Sequence, residues 1–146
     1  MINIALKGDG TIPENQVKML SDFGEFVKIN NEGIYNTRPW KVYGEGPLKI
    51  ITKRAGENLK KFSEKDIRIT TNEGNLYAFV LATPTEDILI KTLNKGGLLE
   101  KKIKEIKLLG SNEKVNWCQE KDGLVIKNNF KKLPNQPAIC FKIVLK

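Results

Sequence analysis

Two hydrophobic periods divide this sequence. Between Thr11 and Asn30, apolar side chains recur at Val17, Leu20, Phe23 and Val27, with Met19, Phe26 and Ile29 widening the row. Spacing of three and four residues places them along one side of a helix, so a helix is predicted over residues 13–30. Pro13 suits the first turn, where an N–H would have no intrahelical partner, and Glu14 complements the positive end of the helix dipole. Gly33 reads as the stop. A row this wide asks for partners on two sides. Ahead of the helix, residues 2–6 form an apolar stub of strand length, closed by Lys7-Gly8-Asp9-Gly10.

Beyond residue 40 the period shortens to alternation. Strands are predicted at residues 67–71, 76–82, 88–93, 103–109, 114–119, 124–127 and 138–145. Glycine-, proline- and asparagine-rich turns separate them, among them Asn72-Glu73-Gly74-Asn75, Asn94-Lys95-Gly96-Gly97 and Lys121-Asp122-Gly123. Residues 47–52 are a candidate further strand, and residues 54–65 read as a charged loop or short surface helix. The expected class is mainly β. It is an antiparallel β-sandwich of about seven to eight strands, preceded by a short strand and one long helix.

At 146 residues the chain has the size of one ordinary domain. No apolar run reaches the roughly 18 residues of a membrane span, and residues 1–10 do not read as a signal peptide. Composition removes chemistry more than it adds any. With no histidine, neither a Ser-His-Asp nor a Cys-His arrangement can form, and imidazole metal ligands are missing. The two cysteines, Cys118 and Cys140, cannot make a four-cysteine zinc site, and each sits in a strand-like run that suits a buried free thiol. No cofactor and no metal site are expected. The net charge of +8 is uneven: residues 1–40 hold four basic against five acidic side chains, and residues 41–146 hold 21 against 12. Most of the excess is lysine alternating with apolar residues, the pattern of a wet sheet face, with arginine only at positions 38, 54 and 68. Nucleic acid is therefore disfavoured as a partner.

One set of residues is recognisable. The run Asn3-Ile4-Ala5-Leu6-Lys7-Gly8-Asp9-Gly10-Thr11-Ile12-Pro13-Glu14, then Phe23-Gly24-Glu25-Phe26 and Ile34-Tyr35-Asn36-Thr37-Arg38-Pro39-Trp40, resembles the segment where the catalytic barrel of α-L-fucosidases of glycoside hydrolase family 29 ends. Lys65-Asp66-Ile67-Arg68-Ile69-Thr70-Thr71 and Leu76-Tyr77-Ala78-Phe79-Val80-Leu81 resemble the opening strands of that family's C-terminal β-sandwich. The resemblance implies a division into residues 1–40, a remnant of the barrel (strand stub, helix and linker), and residues 41–146, the sandwich. It implies that the barrel is the partner of this chain, and that a fucosylated glycan is the substrate of the parent enzyme. The parent's location would be exported or periplasmic. The family's nucleophile aspartate and acid/base glutamate lie upstream in the barrel, so no catalytic residue is expected here. Asp9 and Glu14 read instead as a turn former and a helix-start carboxylate.

Trp40, beside Pro39 and Tyr43, is the candidate carbohydrate-binding pair with Tyr43; the competing reading of Trp40 is an aromatic plug between helix and sandwich. Trp117 reads as a core residue, and Tyr77 with Phe79 as core or inter-domain packing. The cluster Lys101, Lys102, Lys104 and Lys107 fits an anionic glycan or a lysine-guarded sheet edge equally. Three functions therefore stand: the non-catalytic C-terminal domain of a retaining α-L-fucosidase, a stand-alone carbohydrate-binding sandwich, and a basic polyanion-binding module. The exposed helix offers a route to a homo-oligomer.

Overall fold

A computed structural model describes residues 3–48, 61–134 and 137–146. The apolar period near the N-terminus forms α1 (Glu14–Ile29), followed at once by a short α2 (Asn31–Ile34). Among the described residues eight strands come next: β1 (Arg38–Glu45), β2 (Ile67–Asn72), β3 (Asn75–Val80), β4 (Ile88–Ile90), β5 (Ile103–Leu108), β6 (Trp117–Gln119), β7 (Leu124–Ile126) and β8 (Ile139–Leu145). They make two antiparallel sheets, one in the order β1-β2-β3-β8-β5 and one in the order β4-β7-β6. The mainly β sandwich with one long helix is the architecture that the alternating pattern led us to expect.

Period-two alternation decides which side chains meet between the sheets. From the large sheet come Ile67, Ile69, Leu76, Val80, Ile106, Leu108, Ile139, Phe141 and Ile143; from the small one come Ile88, Ile90, Leu124 and Ile126. Phe141 is fully buried at the middle of this core, its ring tilted against that of Phe130 with centroids 6.0 Å apart. The β2–β3 hairpin turns through Glu73 (φ 48°) and Gly74 (φ 78°), two left-handed residues whose twist suits a two-residue turn.

The large sheet is covered on its outer face too. Tyr77, Phe79 and Cys140 form a second apolar cluster there, roofed by Phe26 and Ile34 of the helices. Gly33 does not stop α1, contrary to the sequence reading. It lies inside α2, buried, where an added Cβ would stand 2.8 Å from Phe79 Cζ and 3.2 Å from Cys140 Sγ. A glycine is needed because the backbone itself rests on the sheet. α1 ends instead at Asn30, whose N–H and side-chain amide both donate to the carbonyl of Phe26.

Other differences have local causes. No strand was predicted at Arg38–Glu45, which is β1, and this strand crosses the expected boundary at residue 40. The expected N-terminal strand makes no ladder over residues 3–6, because among the described residues no strand stands beside it to pair with. The predicted strand 88–93 stops at Ile90 and becomes a 3-10 turn, Lys91–Leu93, because both oxygens of Glu45 accept the N–H groups of Lys91 and Thr92 at 2.8 Å. Residues 47–48 carry no strand and 61–65 no helix, while the remainder of those two predicted segments, 49–52 and 54–60, lies outside the described residues.

Candidate functional site

Trp40 and Tyr43 sit on β1, an edge of the large sheet. Between Pro39 and Gly44 the register slips, five steps of β1 facing two of β2, so residues 40–43 bulge from the ladder. Within the bulge, Trp40 and Val42 are half-buried, with Trp40 packed against the main core, while Lys41 and Tyr43 are exposed, Tyr43 at 67%. Alternation thus sends the two aromatics to opposite sides. Lys41 reaches across to Glu100 at 2.7 Å, a pair so open to water that it orients the bulge more than it stabilises it.

α1 carries a run of exposed apolar side chains. None of its residues is fully buried, because only its last turn is anchored: Phe26 meets Phe79 with ring centroids 6.5 Å apart, and Ile29 lies against Gly110. Val17, Met19 and Phe23 are each about half exposed, and beside them Ile4, Leu6 and Ile12 are exposed as well. A groove of about 500 Å³ runs between Met19, Phe23, Phe26 and Pro137, with the Lys18–Asp22 pair on its rim. This face is where apolar side chains lack cover.

α2 is latched to the sheet by polar contacts. Lys142 of β8 donates to Glu32, Tyr77 donates to the same carboxylate at 3.3 Å, and Thr70 donates to the Gly33 carbonyl at 2.8 Å. The hydrogen bond from Lys142 holds the Glu32 carboxyl below its ordinary 4.5, and the same bond raises Lys142 above 10.5. Stability from Glu32 is thus complete above pH 4.5 and lost as pH falls through its lowered folded value. That from Lys142 is complete below pH 10.5 and lost as pH rises through its raised value. Glu32→Gln should therefore destabilise the chain by about 1 kcal/mol at pH 7, discounted for partial exposure, and by less at pH 3. Urea midpoints of both variants across pH check this; equal losses at pH 3 and 7 would contradict the latch.

Several of the described carboxylates have structural employment. Asp9 accepts the N–H and hydroxyl of Thr11, the turn-forming role expected of it, and Glu14 opens α1. Asp66 is 1% exposed and accepts from the N–H groups of Leu48 and Ser63 and from the Ser63 hydroxyl. Burial alone would raise its pKa, but those donors and the charge of Arg68 bring it below 3.8. Asp87 is held by Lys127 and the Asn128 N–H, and Glu64 by Thr85. Among the described residues no group of three His, Cys, Asp or Glu side chains converges to hold a metal. Both cysteines are free thiols, Cys140 buried and Cys118 half-buried.

A family model for the α-L-fucosidase C-terminal domain matches residues 60–144, more than half of the chain. The chain belongs to this family. An α-L-fucosidase of Dictyostelium discoideum is 33% identical over 92 residues, covering 62% of this chain and 16% of its own length. A putative α-L-fucosidase of Caenorhabditis elegans is 26% identical over 162 residues, covering 98% of this chain and 30% of its own. This α-L-fucosidase C-terminal domain therefore spans less than a third of the relatives it matches. Among solved structures, a Thermotoga maritima α-L-fucosynthase superposes with a TM-score of 0.67 at 24% identity, covering 99% of this chain and 29% of that one. Isoenzyme 1 of α-L-fucosidase from Paenibacillus thiaminolyticus gives 0.64 at 20% identity, over 100% and 30%. In such neighbours the fold is one part of a larger fucosidase.

Of the sequence candidates, Trp117 packs against the main core but is only half-buried, and Tyr77 and Phe79 lie under the helices. Lys102, Lys104 and Lys107 flank or occupy β5, the other edge of the large sheet, where lysines discourage edge-to-edge pairing. The Gly33 contact escaped sequence reasoning because close backbone approach leaves no local signature.

Proposed function

We propose that this chain is the non-catalytic C-terminal part of a retaining α-L-fucosidase, and that it supports the catalytic barrel of its parent. Residues 1–40 would complete the barrel as its last strand and helix with a linker, and residues 41–146 would buttress it as the sandwich. The observation that carries this reading is α1: a 16-residue helix anchored by one end, with Val17, Met19 and Phe23 half exposed. Full burial of such a side chain from water is worth roughly 1.5–3 kcal/mol, so covering the exposed half of each gains about half of that, and the face is made to be covered. Residues 3–6, exposed and without a ladder, await strand neighbours of the same source. The parent would hydrolyse terminal α-L-fucose with retention, a reaction needing two carboxyls about 5–5.5 Å apart across the sugar. Those carboxyls belong to the barrel. Tyr43, rather than the core-packed Trp40, would be the aromatic open to a glycan at the bulge.

The test is an exchange. The putative α-L-fucosidase of Caenorhabditis elegans, whose likeness covers 98% of this chain, is truncated where that likeness begins, and the chain is joined there. Soluble protein with a melting temperature above that of the truncated enzyme is expected; a chimaera indistinguishable from the truncation refutes support. By itself the chain should not turn over an aryl α-L-fucoside above a no-protein control, since the nucleophile and acid/base carboxylates would be those of the barrel. Separated from a barrel, the same helix face should pair two copies. Sedimentation velocity at rising concentration should show a dimer that Met19→Glu/Phe23→Glu converts to monomer, and a wild-type monomer at high concentration would contradict it.

A further inference from the structure

The strand edge that guards the large sheet also borders a groove of a different character. Between β5 and the turn into β6 lies a depression of about 500 Å³, with Ile106 and Val115 on its apolar lining, Trp117 on one wall, and Ser111, Asn112, Lys104, Lys107 and Lys114 around it. Its volume falls in the range of small-ligand sites. Glu105 and Glu113 line it as well, so three lysines stand against two carboxylates. Glu105 is paired with Lys107 at 3.4 Å, and both oxygens of Glu113 are taken by the N–H groups of Lys131 and Lys132, at 2.9 and 3.1 Å. Those two bonds also bring two further lysines to the vicinity of Glu113. Among the described residues, Lys104 and Lys114 take part in none of the ion pairs. An aromatic wall with hydroxyl and amide groups beside it and unspent ammonium groups around it is the chemistry that holds an anionic sugar: the ring's C–H face on indole, its acid group on lysine.

We propose that this groove binds a short stretch of anionic polysaccharide, with Trp117 as the stacking face and Lys104 and Lys114 as the charge contacts. The site is separate from α1 and from the β1 bulge, and does not depend on what covers either. Nucleic acid fits it less well. The groove contains lysines but no arginine fork, and Arg68 is spent on the carbonyls of Ile67 and Glu45. A single aromatic is also fewer than the succession of platforms that a single strand of bases uses.

Calorimetric titration of the 146-residue chain tests the proposal with four probes: a heparin-derived hexasaccharide (sulfated), a hexagalacturonate (carboxylated), neutral maltohexaose, and a single-stranded oligonucleotide. Binding of one or both acidic sugars, weaker at higher salt, is expected, and which of the two binds better identifies the acid group. Lys104→Ala/Lys114→Ala should weaken it about tenfold, with Lys91→Ala/Lys95→Ala leaving it unchanged. In a Trp40→Phe background the remaining indole, Trp117, should change its fluorescence on addition of the sugar, a readout that needs no disruptive substitution at position 117. Absence of binding by both acidic sugars overturns the proposal. So does binding insensitive to the Lys104/Lys114 change, a silent Trp117, or an oligonucleotide that binds more tightly and loses its affinity through the same lysines.

Discussion

Phe141→Ala is expected to lower the stability of this domain by about 3–5 kcal/mol, the range for deleting a ring from a tight core. The ring is fully buried on β8, which pairs with β3 on one side and β5 on the other, and it packs against Phe130. Few neighbours can move in to refill the space. β8 lies between β3 and the edge strand β5, and its inner side chains Ile139, Phe141 and Ile143 all belong to the main core. Since whole domains are stable by only about 5–15 kcal/mol, the variant should sit near the edge of folding at room temperature. Urea midpoints measured by far-ultraviolet circular dichroism and by tryptophan fluorescence should fall together, and a loss under 1 kcal/mol would mean that Phe141 is not central to the core.

Gly33→Val should cost about 1–3 kcal/mol by a different route, overpacking instead of cavity formation. The first carbon added meets Phe79 at 2.8 and 3.0 Å and Cys140 at 3.2 Å, and a branched side chain adds more atoms on the same spot. The sheet below is continuous, so α2 should lift while the sandwich holds. Hydrogen exchange should then quicken in α1 and α2 far more than in β2, β3 and β8. Uniform acceleration across the chain would show that the arm formed by α1 and α2 unfolds as one unit with the sandwich. In the fused enzyme the same change should loosen the barrel junction.

How much of this was readable in the sequence varied with how local the cause was. Residues 13–30 were readable as a helix because the apolar spacing and first-turn chemistry lie within the segment, and the observed bounds differ by one residue at each end. The β2–β3 hairpin was legible from Asn72-Glu73-Gly74-Asn75 for the same reason. β1 was missed because Pro39 and Gly44 weaken its strand signal and its bulge breaks the ladder, while its partner β2 lies some two dozen residues further on. The early end of β4 depends on Glu45, far away in sequence, whose two carboxylate oxygens reach the next turn. Gly33 looked like a helix stop because that is what an isolated glycine after a helix most often is. At the site level, the surplus of apolar surface on α1 was visible in the width of its stripe. The groove beside Trp117 was not, because it forms only when β5 and the approach to β6 are brought side by side.

Cys140 gives the arm a clock. Its thiol is fully buried under Gly33 and Phe26's neighbours, and burial pushes its pKa well above 9.0, so it is inert to alkylating agents while α2 lies in place. Labelling at this sulfur requires an opening event, and with reagent in the slow-trapping regime the rate counts the fraction of molecules whose arm is raised at any moment. Cys118, half-buried on the small sheet with its pKa raised by the hydrogen bond to Glu120, is removed as Cys118→Ser so that only Cys140 is read. Whatever covers α1 would slow this clock, which makes one native sulfur atom a gauge of engagement for any partner added to the tube.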